Sequence, residues 1–216
     1  MARRAGREPL TRERIITAAL ALIDEAGLDA LSMRRLGREL GVDPMAVYYH
    51  VPNKDELVRE VVREAFAKLR VPDTDETTAW QRRVRDWADA YRALALAHPN
   101  LVLRILSDAT AVAIAAASVN ESLYAALDAS GLAPLDAVRG ADVIVDFVHG
   151  VVLAEVSAAT HDQAAIAAFQ TALDALPPEN TAVQRRLLSA VDPQERGGFE
   201  FGLEIILAGL ETRRPR

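Results

Sequence analysis

Residues 31–57 read LSMRRLGRELGVDPMAVYYHVPNKDEL, and no other stretch restricts the fold as tightly. Ser32, Asp43 and Asn53 are side chains that can accept hydrogen bonds from the free N–H groups at a helix start. They stand one short helix apart. After Ser32, the residues Met33, Leu36 and Leu40 form one apolar stripe. Gly41 then supplies a left-handed stop that a residue with a Cβ resists. Asp43 caps a second helix with Pro44 at its first position, where the missing N–H costs nothing. Leu36, Leu40, Val42 and Val47 point inward, while Met45, Ala46, Tyr48, Tyr49 and His50 complete the second helix. Two short helices joined at a glycine form a helix-turn-helix, whose second helix is short enough to lay its first residues against base edges in a major groove.

The string LGVDPMAVYYHVPNKDEL resembles the DNA-binding signature of the tetracycline-repressor (TetR) family. The match is tight from about Thr11 to Leu57 and looser beyond residue 70. The resemblance implies a homodimeric regulator that binds a double-stranded DNA operator and responds to a small molecule. It implies that Arg34 reaches a base edge, where a guanine O6/N7 pair would suit its fork; a solvated or phosphate-binding arginine is the alternative. It also places Tyr48 and His50 on phosphates, and Tyr49 either on a base or partly buried. Lys54 offers a phosphate both a charge and a helix N-terminus. Thr11, Ser32 and Met33 complete the expected DNA-facing set, although capping alone explains Thr11 and Ser32. Pro44, Met45 and Ala46 are apolar, so they can touch thymine methyls but make no side-chain hydrogen bonds. In this turn the chain departs from the polar residues of the family's tetracycline-binding member.

The chain has 216 residues, a net charge of −6 and no cysteine. Without cysteine there is no disulfide framework and no thiolate metal site. An acidic chain is an unexpected DNA binder, but the charge is unevenly spread. Residues 1–70 carry 13 basic and 11 acidic side chains, and the remainder is strongly acidic. Local sign decides whether phosphates are attracted. Arg3, Arg4, Arg7, Arg12 and Arg14 crowd the start, and Arg34, Arg35 and Arg38 the first helix of the motif. The N-terminus lacks an apolar signal segment, and the apolar run near Ala109–Val119 is too short to span a bilayer. The expected address is the cytoplasm, with no membrane partner.

The pattern is all-α throughout. Thr11 opens a helix with Ile15, Ile16, Ala19, Leu22 and Ile23 on one face, ended by Gly27. Asn53 and Glu56 open another, an N-x-x-E variant of the capping box. Pro72 and the acidic, Thr-rich stretch after it divide a DNA-binding domain, residues 1–70, from a helical effector-binding and dimerisation domain, residues 71–216. That domain predicts helices over 79–97, after Asn100, over 110–129, 135–159, 162–176 and 181–191, and a last one opened by Asp192-Pro193-Gln194-Glu195.

The helices at 135–159 and 193–212 are more apolar than a free surface. Gly140, Ala141, Gly150, Ala154, Gly202, Ala208 and Gly209 allow close approach along them. A four-helix dimer interface is expected there, with Phe147, Val151, Ala154, Phe199, Leu203, Ile206 and Leu210; ordinary core helices are the alternative. An effector pocket is expected from Trp80, Trp87, Tyr91, His98, Val102, Phe147 and His149, against the alternative of a filled core. By resemblance, His98 stands where the family's tetracycline binder has a histidine on the drug's magnesium. The acidic partner is absent in register, where Ala154 stands, so neither tetracycline nor a metal is expected. No cofactor is expected.

Two other classes compete. An enzyme would need chemistry that the histidines do not provide. They form no H-E-x-x-H, and Asp146-x-x-His149 lacks the second Glu-x-x-His of a di-metal bundle. A DNA-binding protein without an effector is the other.

Overall fold

The computed structural model describes residues 9–215 except 73, 74, 76, 103–109, 111, 112, 114–116, 118 and 191–197. Side chains at 158–166 and 170 are not described. The described helices are α1 (Arg12–Ala26), α2 (Met33–Leu40), α3 (Pro44–His50), α4 (Lys54–Phe66), α5 (Trp80–Ala97), α6 (Glu121–Asp128), α7 (Pro134–Asp174), α8 (Pro178–Leu188) and α9 (Phe199–Glu211). No strand occurs among the described residues, so the all-α expectation holds. The chain forms two compact units: residues 1–72 with 93–122, and residues 73–92 with 123–216. Helix α5 contributes to both. The first unit thus takes in residues 93–122, which a boundary at residue 70 assigns to the second domain.

In the first unit every sequence-read cap forms. Thr11 accepts from Arg14 N–H, Ser32 from Arg35 N–H, Asp43 from Met45 N–H and Asn53 from Glu56 N–H. Glu56 itself pairs with Arg59 at 2.7 Å. Gly41 sits at φ 67°, ψ 33°, the left-handed conformation the motif requires. The core of the unit is Ile15, Ile23, Leu31, Leu36, Val47, Val51, Leu57 and Val61, all buried. Arg12 ties the start of α1 to α4 through both its Nε and Nη2 on the carboxylate of Glu60, the latter at 2.7 Å.

The Arg12 hydrogen bond holds the largely buried Glu60 carboxyl below its ordinary value of 4.5, against the opposing pull of burial. A group whose folded pKa is depressed stabilises the fold above its unfolded pKa and loses that contribution as pH falls through the folded one. Unfolding free energy should therefore decline on acidification below about pH 4.5. Glu60→Gln should be less stable at neutral pH and show a flatter acid limb in denaturant titrations. An identical acid limb in both proteins would remove Glu60 from this role.

In the second unit, sequence and structure differ at α7. The predicted helices 135–159 and 162–176 are one 41-residue helix. No glycine or proline stands between Gly150 and Pro177 to break it. The helix read across 110–129 is interrupted at Asn120. Helix α8 begins at Pro178, ahead of the expected Thr181. The start read at Asp192 lies outside the described residues. Helices α7 and α9 pack through their glycines. A Cβ on Gly202 would stand 2.5 Å from the Phe147 ring, and one on Gly140 3.0 Å from Leu210.

Candidate nucleic-acid interface and second-unit site

The motif's outer surface follows from its inner one. Once Val47 and Leu36 are fully buried, helical geometry turns Met45, Tyr48 and Tyr49 outward, at positions i, i+3 and i+4. Met45 is 71% exposed, Tyr48 43% and Tyr49 88%. Among the described residues of the first unit, these three are all of its exposed large hydrophobic side chains. Tyr49 is therefore free of the core, and meets only the edge of His50, with centroids 5.5 Å apart, among the ring contacts found. Arg34 is exposed in the first turn of α2, and Ser32 and Thr11 are exposed at their caps. Pro44, Ala46 and His50 are partly exposed.

Two expectations change here. Met33 is 6% exposed; it opens the stripe that continues with Leu36, so its side chain packs inward and leaves the DNA-facing set. Lys54 donates from Nζ to the carbonyl of Leu28 at 3.1 Å. One of its three ammonium donors thus fastens α4 to the α1–α2 connection, leaving two for an outside acceptor.

Sequence reasoning also missed Gly37. It is buried in α2, and a Cβ there would stand 3.1 Å from both Pro44 N and Val42 O. Its position facing the turn, four residues before Gly41, is the signal that could have found it.

The expected effector residues separate between the units. In the second unit, Trp87 stacks on Tyr91 with centroids 4.8 Å apart. The Tyr91 hydroxyl and His149 Nε2 are 2.7 Å apart. Burial pushes the Tyr91 pKa far up and the His149 pKa down, the latter opposed by the nearby Asp146 charge. The phenol and the imidazole are thus neutral together near pH 7. Among the described residues, His149 Nδ1 and Trp80 Nε1 are buried with no hydrogen-bond partner, and unmet polar atoms of this kind are costly unless something else satisfies them. Phe147 turns instead to the α7–α9 seam, stacked on Phe199 at 5.8 Å. Arg92 lies 4.9 Å over that same Phe199 ring and holds Glu155 at 2.7 Å.

His98 and Val102 belong to the first unit. His98 Nδ1 lies 2.9 Å from Asp24 Oδ2, and Asn100 donates to the Ile23 carbonyl at 2.9 Å. These two side chains fasten the residues after α5 to the C-terminal turn of α1. His98 is thus committed to Asp24 in this structure, and Val102 is fully buried.

The expected interface residues divide too. Phe199 and Leu203 are buried within the chain, because Gly202 and Gly140 already bring α9 against α7. Among the described residues, the large apolar side chains left outside are Leu135, Val138, Val143 and Phe169 on α7 and Phe201 and Ile205 on α9. Gly150 and Gly209 face open space. Between these helices lies a groove of about 460 Å³, bordered by Val143, Ile205, Ile206 and Leu210 with Arg139 and Arg213. A face that alternates small residues with Val, Ile and Phe can take a close-packed second helix pair.

Residues 15–61 match the family model for bacterial regulatory proteins of the tetR family, and residues 71–214 that for a tetracyclin repressor-like C-terminal domain. The chain belongs to the TetR family. It is a DNA-binding transcriptional regulator, as its relatives are, and not an enzyme. The class C tetracycline repressor protein of Escherichia coli is 31% identical over 95% of this chain and 92% of its own length. A local match to a Saccharopolyspora erythraea regulator, 29% identical, covers 68% of this chain and 61% of that protein. Among solved structures, the Streptomyces coelicolor TetR family protein ActR in complex with actinorhodin is 32% identical, with 94% of this chain and 98% of that one covered, at a TM-score of 0.74. BioQ, known from Mycobacterium smegmatis and solved with its natural double-stranded DNA operator, is 26% identical, covering 94% and 99%, at 0.65. Among the described residues no helix is long and apolar enough to cross a membrane, and no cluster of three His, Asp or Glu could hold a metal ion.

Proposed function

We propose that this TetR family member is a cytoplasmic, homodimeric repressor that binds a palindromic operator and releases it when a small apolar molecule enters the second unit. One observation carries the DNA half of this reading. Every exposed large hydrophobic side chain described in the first unit lies on α3, flanked by the arginines of α2. Thr11, Ser32, Tyr48, His50 and Lys54 then position the duplex through phosphates, and Arg34, Pro44, Met45, Ala46 and Tyr49 face base edges. One seven-residue helix reads few base pairs, so two copies related by a two-fold axis read two half-sites. The apolar faces of α7 and α9 supply the surface for that pairing.

The effector half rests on the unmet polar atom His149 Nδ1, whose ring meets Tyr91 and through it Trp87, and on the unmet Trp80 Nε1 earlier on α5. ActR, solved in complex with actinorhodin, supports a small-molecule ligand for this chain, and the Trp87 and Tyr91 rings beside His149 favour an aromatic one. Helix α5 carries the signal in this reading, because its first part lies in the ligand-bearing unit and its end is fastened to α1 by His98 and Asn100. The effector must bind the DNA-incompetent state more tightly, since equal affinity for both states shifts nothing.

Selection of bound duplexes from a random pool tests the reading, followed by competition with a panel of aromatic compounds. Enriched inverted repeats and displacement by at least one compound are expected. A pool with no enrichment at low salt refutes it. Arg34→Ala should weaken binding to the selected duplex by about 1–3 kcal/mol and relax preference at one base pair, as for loss of a bidentate guanine contact. Equal loss on all sequences would move Arg34 to a phosphate.

A further inference from the structure

The start of α3 presents no free hydrogen-bond donor among its first three residues. Pro44 has no N–H. The Met45 N–H is taken by Asp43 Oδ1 at 2.8 Å, and the Ala46 N–H by the Asp43 carbonyl at 2.9 Å. The three side chains add no N–H or O–H. Yet Met45 stands 71% exposed, with most of its apolar surface in water.

A major groove offers acceptors, donors and one apolar group, the C5 methyl of thymine. A tip without donors gains nothing from the N7 and O6 or O4 acceptors. A thioether sulfur is too weak an acceptor to reward the N4 or N6 amino groups. The one base feature that matches an exposed, unbranched, polarisable side chain is the methyl, which both partners hide from water on contact. We infer that Met45 is a specificity-determining residue that selects thymine through its C5 methyl group. This rests on the reading in which α3 enters the major groove. It assigns base choice at one position per half-site to apolar contact, and leaves hydrogen-bonded choice to Arg34 and Tyr49.

The test uses the full chain and the duplex it enriches from a random pool. Each thymine is replaced in turn by deoxyuridine, which removes the methyl and keeps every donor and acceptor. One thymine in each half-site should show about a fourfold loss of affinity, the effect of hiding one methyl-sized group from water. In Met45→Ala that penalty should vanish while penalties elsewhere persist, and an unchanged melting temperature should confirm that an exposed position was altered. Replacing the same T·A pair by C·G should weaken binding, and 5-methylcytosine·G should recover part of the loss. Uniform indifference to uracil, or a uracil penalty equal in the parent and in Met45→Ala, overturns the inference and leaves the groove-reading function standing. A pool that enriches no duplex overturns both.

Discussion

Gly37→Val should weaken operator binding more than tenfold and lower the melting temperature, although residue 37 lies inside the fold. Helical backbone at this position accepts any residue, and glycine in a helix is the less stable choice by about 1 kcal/mol relative to alanine. What requires glycine is the approach of the turn. A Cβ would lie 3.1 Å from Pro44 N, 3.1 Å from Val42 O and 3.2 Å from Pro44 Cα. All three are backbone atoms, so no rotamer change relieves the contact. The start of α3 must move away from α2, and the branched methyls of valine enlarge that movement. Overpacking of this kind costs about 1–3 kcal/mol. The effect on binding should be larger than the effect on stability. Arg34 on α2 and Met45 and Tyr49 on α3 reach the duplex as one surface, and a shift between the helices misplaces one set whenever the other is seated. A loss of affinity beyond tenfold is expected in duplex titrations at a temperature where the variant remains folded. Gly37→Ala is the informative comparison. Helix propensity and crowding oppose each other there, so it should keep the fold and lose less affinity than Gly37→Val. A Gly37→Val protein that binds like the parent would show that the two helices do not act as one rigid reader.

The reading head was legible because its determinants are local. Thr11, Ser32, Asp43 and Asn53 form their hydrogen bonds within two or three residues, and Gly41 meets a conformational demand visible in its own backbone. Gly37 escaped because its constraint is tertiary: the atoms that exclude a Cβ belong to the next helix. The same limit appears in α7 and α9. Periodicity marks both as too apolar for a free surface but does not say which apolar face meets its own chain. Gly140 and Gly202 decide that, by letting Leu210 and Phe147 close the seam inside the chain. Phe199 and Leu203 go into that core, and Phe201 and Ile205, two residues further on in each case, are left outside. His98 shows a third kind of limit. Sequence resemblance placed it by analogy with a ligand-binding histidine, yet Asp24, 74 residues earlier, holds its ring. Long-range pairing of this sort leaves no mark on local spacing.

Phe201→Glu combined with Ile205→Glu should convert the protein into a folded monomer that no longer holds its operator. Both side chains are largely exposed in the isolated chain, Phe201 by 67% and Ile205 by 55%, so the substitutions leave the core intact and the melting curve of the monomer cooperative. In a dimer built on α7 and α9 the same positions would be enclosed, and two carboxylates per chain without partners cannot be desolvated there. The consequence for DNA follows from avidity. Each reading head alone binds a half-site weakly, and joining two heads raises affinity by about 10²–10⁴ without any new contact. The paired substitution should remove a factor of that size, measured on the full inverted repeat, while affinity for a single half-site stays unchanged. Sedimentation should report the monomer mass. Leu203→Ala, in the same helix, separates the two roles of α9: it removes a fully enclosed side chain, so it should cost about 2–5 kcal/mol of stability with no selective effect on association. Should the doubly substituted protein still sediment as a dimer, the pairing surface must lie elsewhere on the second unit, and the exposed apolar residues Val183 and Leu187 of α8 would be the next to replace.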